Sequence, residues 1–161
     1  MDLRLIQDHV EITQVIQKVG RAFDEKRHDA LLPTLFTEDA SIRYLLSGQQ
    51  MDFSPPAGFA VFKHFHERCF WTQHLIAPSV IEVMGDTARA SSPVQAIHIQ
   101  VREDGSRNTW IVAACYFDEL VRRADGWRIA RRTVPAPHDQ GAFEEHGVRL
   151  FPALPDLVGQ G

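Results

Sequence analysis

The hydrophobic positions of this chain change period about half-way along, and the change separates a helical half from a stranded half. Leu3, Ile6, Val10, Ile12, Val15, Ile16, Val19 and Phe23 recur at roughly three- and four-residue steps. That spacing predicts an amphipathic helix over residues 3–26. A second, short helix is predicted over 29–36, with Asp29 as its N-cap and Pro33 limiting its regularity. Residues 40–46 read as a strand, and 48–56 as a loop because Pro55-Pro56 interrupts regular structure. From 57 to 70, Phe59, Phe62, Phe65, Cys69 and Phe70 again follow helical steps, which predicts a third helix with an aromatic face.

Beyond that point the pattern alternates. Strands are predicted over 76–84, 87–101, 108–123 and 127–134, separated by Gly85-Asp86, Asp104-Gly105 and Asp125-Gly126. Such turns join antiparallel neighbours into a meander. Helices followed by strands indicate an α+β fold, about three N-terminal helices covering one face of a strongly curved, mostly antiparallel sheet that encloses a pocket. In 96–101, Ile97, Ile99 and Val101 make one apolar face, and Ala96, His98 and Gln100 a mixed one. The mixed face suits a pocket wall; the apolar face suits another layer or a second subunit.

The 161 residues fit a single domain with a core over about 3–134. The tail, 135–161, is rich in Pro, Gly and polar residues, and is expected to cover the pocket mouth or reach a neighbouring subunit. A net charge of −4 argues against nucleic acid as a partner. The basic cluster Arg122, Arg123, Arg128, Arg131 and Arg132 reads as paired strand ends facing solvent. No apolar run approaches the ~20 residues of a membrane span. Met1-Asp2-Leu3-Arg4 does not open a secretory signal, so a cytoplasmic location with Cys69 and Cys115 reduced is expected.

Three polar residues stand where the pattern otherwise reads as core: Asp24 at a helix end, His74 beside Leu75 and Ile76, and His98 between Ile97 and Ile99. A carboxylate and two imidazoles in an apolar setting are suited to moving protons near neutral pH. A carboxylate accepting from one ring nitrogen also fixes the tautomer of the other. The plainer alternatives are a solvated helix end, a hydrogen-bonded core histidine and a surface histidine. Tyr44 and Tyr116 share strand parity with apolar neighbours and are placed to aim hydroxyls at the same space.

Metal binding is tested by His64, His66, Cys69 and His74, which are close in sequence. On a helix His64 and His66 point about 200° apart, and His66 with Cys69 makes only two ligands. No metal is expected. No Gly-rich phosphate loop and no Gly-x-Ser-x-Gly elbow occur, so acid–base chemistry without a cofactor is expected.

Four segments carry a family resemblance: the helix ending in Phe23-Asp24, Leu35-Phe36-Thr37-Glu38-Asp39-Ala40, Thr72-Gln73-His74, and Asp125-Gly126-Trp127-Arg128-Ile129. Over about residues 3–134 the chain resembles the nuclear transport factor 2-like superfamily, in its SnoaL-like and scytalone dehydratase-like branch. Asp24 with Thr72-Gln73-His74 resembles the Asp–His dyad of scytalone dehydratase and of hexachlorocyclohexane dehydrochlorinase. The resemblance implies a cone of three helices and a curved mixed sheet, assembled as a homodimer or homotrimer. It makes His74 a general base, Asp24 the carboxylate orienting it, His98 a second histidine, and Tyr44 a tyrosine that polarises a carbonyl. Phe23 stands where a second tyrosine would precede the aspartate, and Tyr116-Phe117-Asp118-Glu119 lacks the family's asparagine.

The expected activity is a dehydratase-type elimination on a small, largely apolar, ring-containing hydroxy-ketone, catalysed by Asp24, His74, His98 and Tyr44. Tyr116, Phe23, Phe70 and Trp110 are expected to line the substrate site. Two alternatives stay open: an isomerase or polyketide cyclase using the same pocket, and a non-catalytic binding or associative domain like the small subunit of ring-hydroxylating dioxygenases.

Overall fold

The computed structural model describes residues 2–157. In chain order the elements are α1 (Leu3–Asp24), α2 (His28–Leu35), β1 (Phe36–Leu46), β2 (Gln49–Phe53), α3 (Ala57–Glu67), β3 (Trp71–Ile76), β4 (Val80–Met84), β5 (Thr87–Val101), β6 (Arg107–Arg123), β7 (Gly126–Ala136) and β8 (His138–Gln140). Three helices thus pack on a large, curled, mixed sheet, as the pattern predicts. None of the described helices is long and apolar enough to cross a membrane.

The sheet runs β2-β1-β7-β6-β5-β3, with β4 also on β5 and β8 also on β6. Among the described residues only β1 and β7 pair in parallel, and every other strand pair is antiparallel. The long β5 changes outer partner along its length, from β4 opposite Thr87–Ser91 to β3 opposite Val94–Ile99. Pro93, with no N–H to give a ladder, stands at the changeover. Register shifts in the β6/β7 and β1/β7 ladders bend the sheet further.

α1 buries Ile12, Ile16, Val19 and Phe23 on one stripe, and these join Leu32, Leu35, Ile42, Phe62, Leu120 and Ile129 in the core. Two anchors hold its ends. Near the start, buried Asp8 takes both amino groups of Arg122 and the Trp127 indole N–H, at 3.1 Å for the latter. At the end, Arg27 N–H reaches the Ala22 carbonyl and Lys26 N–H the Phe23 carbonyl, at 2.8 and 3.2 Å. This is a Schellman closure in which Lys26, at φ 54°, takes the left-handed position usually held by glycine. Between them Gly20 lets β3 lie close: a Cβ there would stand 3.2 Å from the Cβ of His74.

Several expectations are corrected. The stretch 48–56 is not all loop, because Ser47 and Gly48, both at positive φ, form a two-residue turn that pairs β2 back on β1. α2 begins at His28 after an N-cap position at Arg27 without a side-chain cap bond, so Asp29 sits in the first turn and pairs with Lys63 at 2.6 Å. β1 starts at Phe36 rather than residue 40, and β3 and β4 are separate strands broken at 77–79. The arginine cluster is not a solvent-facing row: Arg132 is 1% exposed and paired with Asp118, and Arg122 is held by Asp8.

Past β7 the chain returns along β6. Gly141 crosses the Thr109 carbonyl so closely that any Cβ would collide with it. Buried Gln100 then clamps Glu144 through its backbone, accepting from the N–H at 2.8 Å and donating to the carbonyl at 2.8 Å.

Candidate functional site

The concave face of the sheet and the helices enclose a cavity of about 320 Å³. Its wall is mostly apolar: Phe23 from α1, Phe62 and Phe65 from α3, Phe53 from β2, and Val94, Val112 and Val134 from the sheet. The polar groups are few. They are His66, His74, His98, Tyr44, Tyr116, the Trp110 indole and two residues of the mouth, Ser47 and Gln49.

Asp24 and His74 meet, though fifty residues apart. Asp24 Oδ1 accepts from His74 Nδ1 at 2.7 Å, and Oδ2 accepts from the His74 backbone N–H at 2.9 Å. A carboxylate in the last turn of a helix is poorly placed against the helix dipole. Here it accepts instead from the backbone and ring N–H groups of His74, within β3. With Nδ1–H committed to the carboxylate, Nε2 is the His74 nitrogen left for a substrate, and the side chain is only 6% exposed.

His98 lies diagonally across the β3/β5 ladder, where Thr72 faces His98 and His74 faces Ala96. Its ring stands perpendicular to that of His74 at 5.7 Å between centroids. Its Nδ1 donates to the Trp110 carbonyl at 3.3 Å. Burial, then the neighbouring His74, pushes its pKa down to about 3, so it is a neutral ring rather than a cation. Tyr44 and Tyr116 face the same space. Burial raises Tyr44 to about 12 and Tyr116 further, so both hydroxyls keep their protons and have them to offer to a ligand.

Phe23, Tyr116 and Trp110 line the cavity. Phe70 does not. α3 ends at Glu67, and the chain beyond it turns Phe70 outward, against the Phe151 ring at 5.3 Å and beneath Arg107. Conversely, the sequence weighs His66 only as a metal ligand beside Cys69 and sets it aside, whereas the structure brings it into the site with a ring centroid 5.9 Å from that of His74. Its position four residues after Phe62, on the buried face of α3, is the signal that would have found it. Its Nδ1 donates to the Phe62 carbonyl at 2.7 Å and also lies 3.0 Å from Nε2 of buried His28. Burial holds His66 well below the ordinary imidazole range and His28 at about 4.

Beneath the tyrosines lies a second polar pair. Arg132 Nε and Nη2 reach Asp118 at 2.6 and 2.7 Å, and the guanidinium stands 3.9 Å over the Tyr116 ring. Phe143, from the segment held by Gln100, completes the cavity wall beside Phe65 and Trp110.

Comparison with known proteins agrees with this architecture. A SnoaL-like domain model matches residues 4–133. An uncharacterized protein of Mycobacterium tuberculosis is 30% identical over 136 residues, covering 79% of this chain and 84% of its own. A Kribbella flavida protein superposes with a TM-score of 0.76 at 25% identity, over 84% of this chain and 95% of its own. A candidate scytalone dehydratase of Novosphingobium aromaticivorans gives 0.71 at 21%, over 98% and 97%. The type 3 hexachlorocyclohexane dehydrochlorinase of Novosphingobium barchaimii gives 0.71 at 16%, over 88% and 94%. The last two likenesses are of fold, the α+β cone of nuclear transport factor 2-like proteins. By the extent of the family match, this chain belongs to the SnoaL-like domain family.

Proposed function

We propose that this domain is a lyase of the dehydratase type, acting on a small, ring-containing, largely apolar hydroxy-ketone. The observation that carries the reading is the 2.7 Å contact of Asp24 with His74 at the wall of an apolar cavity. The volume, about 320 Å³, lies at the small end of ligand sites and fits a molecule of one or two rings.

In this reaction His74 Nε2 removes the proton alpha to the substrate carbonyl. The C–H electron pair moves into an enolate, and the imidazolium formed is stabilised by Asp24. Tyr44 and Tyr116, both protonated, donate to the enolate oxygen, the electrostatic help that such a step most needs. His98, being neutral with Nδ1–H engaged, accepts from the substrate's β-hydroxyl and orients it. The enolate then expels that hydroxyl, which takes the proton held on His74 and leaves as water. The double bond forms between the α and β carbons, and His74 returns to its starting state.

The names of several structural relatives, a dehydratase and dehydrochlorinases among them, belong to the same class of elimination. Isomerisation is the second reading, because the same base and donors serve a proton returned to carbon. Mass spectrometry of the product separates the two, since only elimination loses a water. The primary test is turnover of a panel of cyclic β-hydroxy ketones by the parent, His74→Ala and Asp24→Asn. Loss of ~10²- to 10⁴-fold in both variants, with unchanged circular dichroism, is expected. Turnover at the parental rate in both variants would remove the dyad from the mechanism.

A further inference from the structure

His66, His74 and His98 come from three elements, α3, β3 and β5, and converge in the cavity. One ring nitrogen of each lies within 4.8 Å of the other two. The hydrogen bonds decide which nitrogen that leaves available. Nδ1 of His74 meets a carboxylate, and Nδ1 of His66 and His98 meet the backbone carbonyls of Phe62 and Trp110. Carboxylates and carbonyls only accept, so all three protons sit on Nδ1. Each ring therefore leaves Nε2 as the nitrogen available to a ligand, and among the described residues no hydrogen bond engages any of the three.

Elimination at His74 does not account for this. It uses one lone pair as a base and a second as an acceptor, and leaves His66 without a task. In their neutral forms three such rings would aim lone pairs at one another in an apolar chamber, and only a cation or a proton donor relieves them all. The surroundings are also those of metal-bound imidazoles, whose other N–H is typically given to a carboxylate or a backbone carbonyl. Both kinds of partner are present.

We propose that the three Nε2 atoms form a binding site for a divalent first-row cation of borderline softness, with zinc(II) and cobalt(II) as the best-suited ions. Three neutral imidazoles match this class, and the fourth position of a tetrahedral ion opens toward the cavity, where a water or a ligand oxygen fits. Ligand nitrogens around zinc sit at about 2.0–2.1 Å, hence about 3.4 Å apart. Drawing the nitrogens in from 4.8 Å needs a movement of about 0.8 Å each, within reach of small χ1 and χ2 rotations. Asp24 then lies behind His74 as the carboxylate partner of a ligand. The cation and a substrate proton compete for the same Nε2 of His74, so the loaded protein is a different chemical state from the one in which His74 is a base.

The inference is tested without substrate, so that its outcome is independent of whether the dyad eliminates water. Untagged protein is stripped with EDTA and titrated with cobalt(II) and zinc(II), followed by visible absorption and calorimetry. One ion per chain with the intense visible bands of tetrahedral cobalt is expected. His66→Gln and His98→Gln should each weaken zinc at least ~100-fold, and Asp24→Asn by ~10- to 100-fold. Circular dichroism and thermal unfolding identify any variant that fails to fold, and for that position His66→Asn or His98→Asn replaces it. Absence of one-to-one binding by the parent at micromolar metal overturns the site. So does binding that survives folded variants of both His66 and His98.

Discussion

Gly20 and His74 approach so closely that a β-carbon on the glycine would stand 3.2 Å from the histidine's Cβ and 3.0 Å from Ile76 Cδ1. The isoleucine methyl end can turn away, but the His74 Cβ is fixed to the β3 backbone. Alanine at this helix-interior position gains about 0.5–1 kcal/mol of helix propensity, which roughly offsets the crowding. Gly20→Ala is therefore expected to unfold within about 1 kcal/mol of the parent. The displacement falls on the imidazole, and a misplaced base is penalised steeply, so turnover should drop roughly tenfold or more. Paired denaturation and rate measurements check this; a rate unchanged in a folded variant would show that the helix–strand spacing does not set the site.

Burial of three histidines gives the fold a defined weakness in acid. His98 is held at about 3, His28 at about 4 and His66 well below 6.5, each chiefly by burial. The unfolded chain accepts protons on these rings below about pH 6.5, and the folded chain refuses them until far lower. The unfolded state thus binds more protons in that window, so stability is complete above 6.5 and falls as the pH drops toward 4. The slope is about 1.4 kcal/mol per pH unit for each histidine. Urea denaturation at pH 7, 6 and 5 measures it, and an unfolding free energy that stays level over this range contradicts the burial argument.

How much of this was legible in the sequence depended on whether the signal was local. The α1 stripe, the aromatic face of α3 and the Gly-Asp and Asp-Gly turns sit within a few residues of what they determine. β2 was missed because Gln49, Gln50 and Asp52 have no buried-strand pattern; what makes them a strand is the ladder to β1, which a tight Ser47-Gly48 turn permits. Phe70 was misplaced by extending a helical phase past Glu67, where the helix stops. Asp24 and His74 are joined by α1 folding over β3, so no spacing rule brings them together, and the resemblance to dyad enzymes carried that pairing. The histidine triad was invisible for the same reason. Sequence neighbours His64 and His66 diverge, while His66 meets partners from two strands.

The Arg132–Asp118 pair is buried outright, at 1% and 0% side-chain exposure. Arg132 Nη1 already has no partner. Asp118→Asn removes the neutralising charge and is expected to cost about 3–5 kcal/mol. Replacing both, as Asp118→Leu with Arg132→Met, removes the uncompensated charge and should recover most of that loss. A double-mutant cycle by chemical denaturation reads the difference. If Asp118→Asn alone were nearly neutral, water must reach the guanidinium, which would open the floor beneath Tyr116.

Lys26 ties the end of α1 to two distant segments. Its ammonium donates to the Cys69 carbonyl at 2.5 Å and to the Phe151 carbonyl at 2.6 Å, and lies 5.6 Å from the Phe151 ring centroid. The residue accepts a left-handed backbone to do so, at about 1–2 kcal/mol for any residue with a Cβ. Lys26→Met keeps that strain and loses both bonds, whereas Lys26→Gly loses the bonds but relieves the strain. Lys26→Met is thus expected to lose about 1–3 kcal/mol, with Lys26→Gly the more stable of the two by about 1. Both variants should free the segment around Phe151, so that trypsin cleaves after Arg149 faster than in the parent. Cleavage at the parental rate in both would mean that the tail is held by Gln100 and Arg102 on Glu144, at 2.8 and 2.6 Å, and not by the lysine.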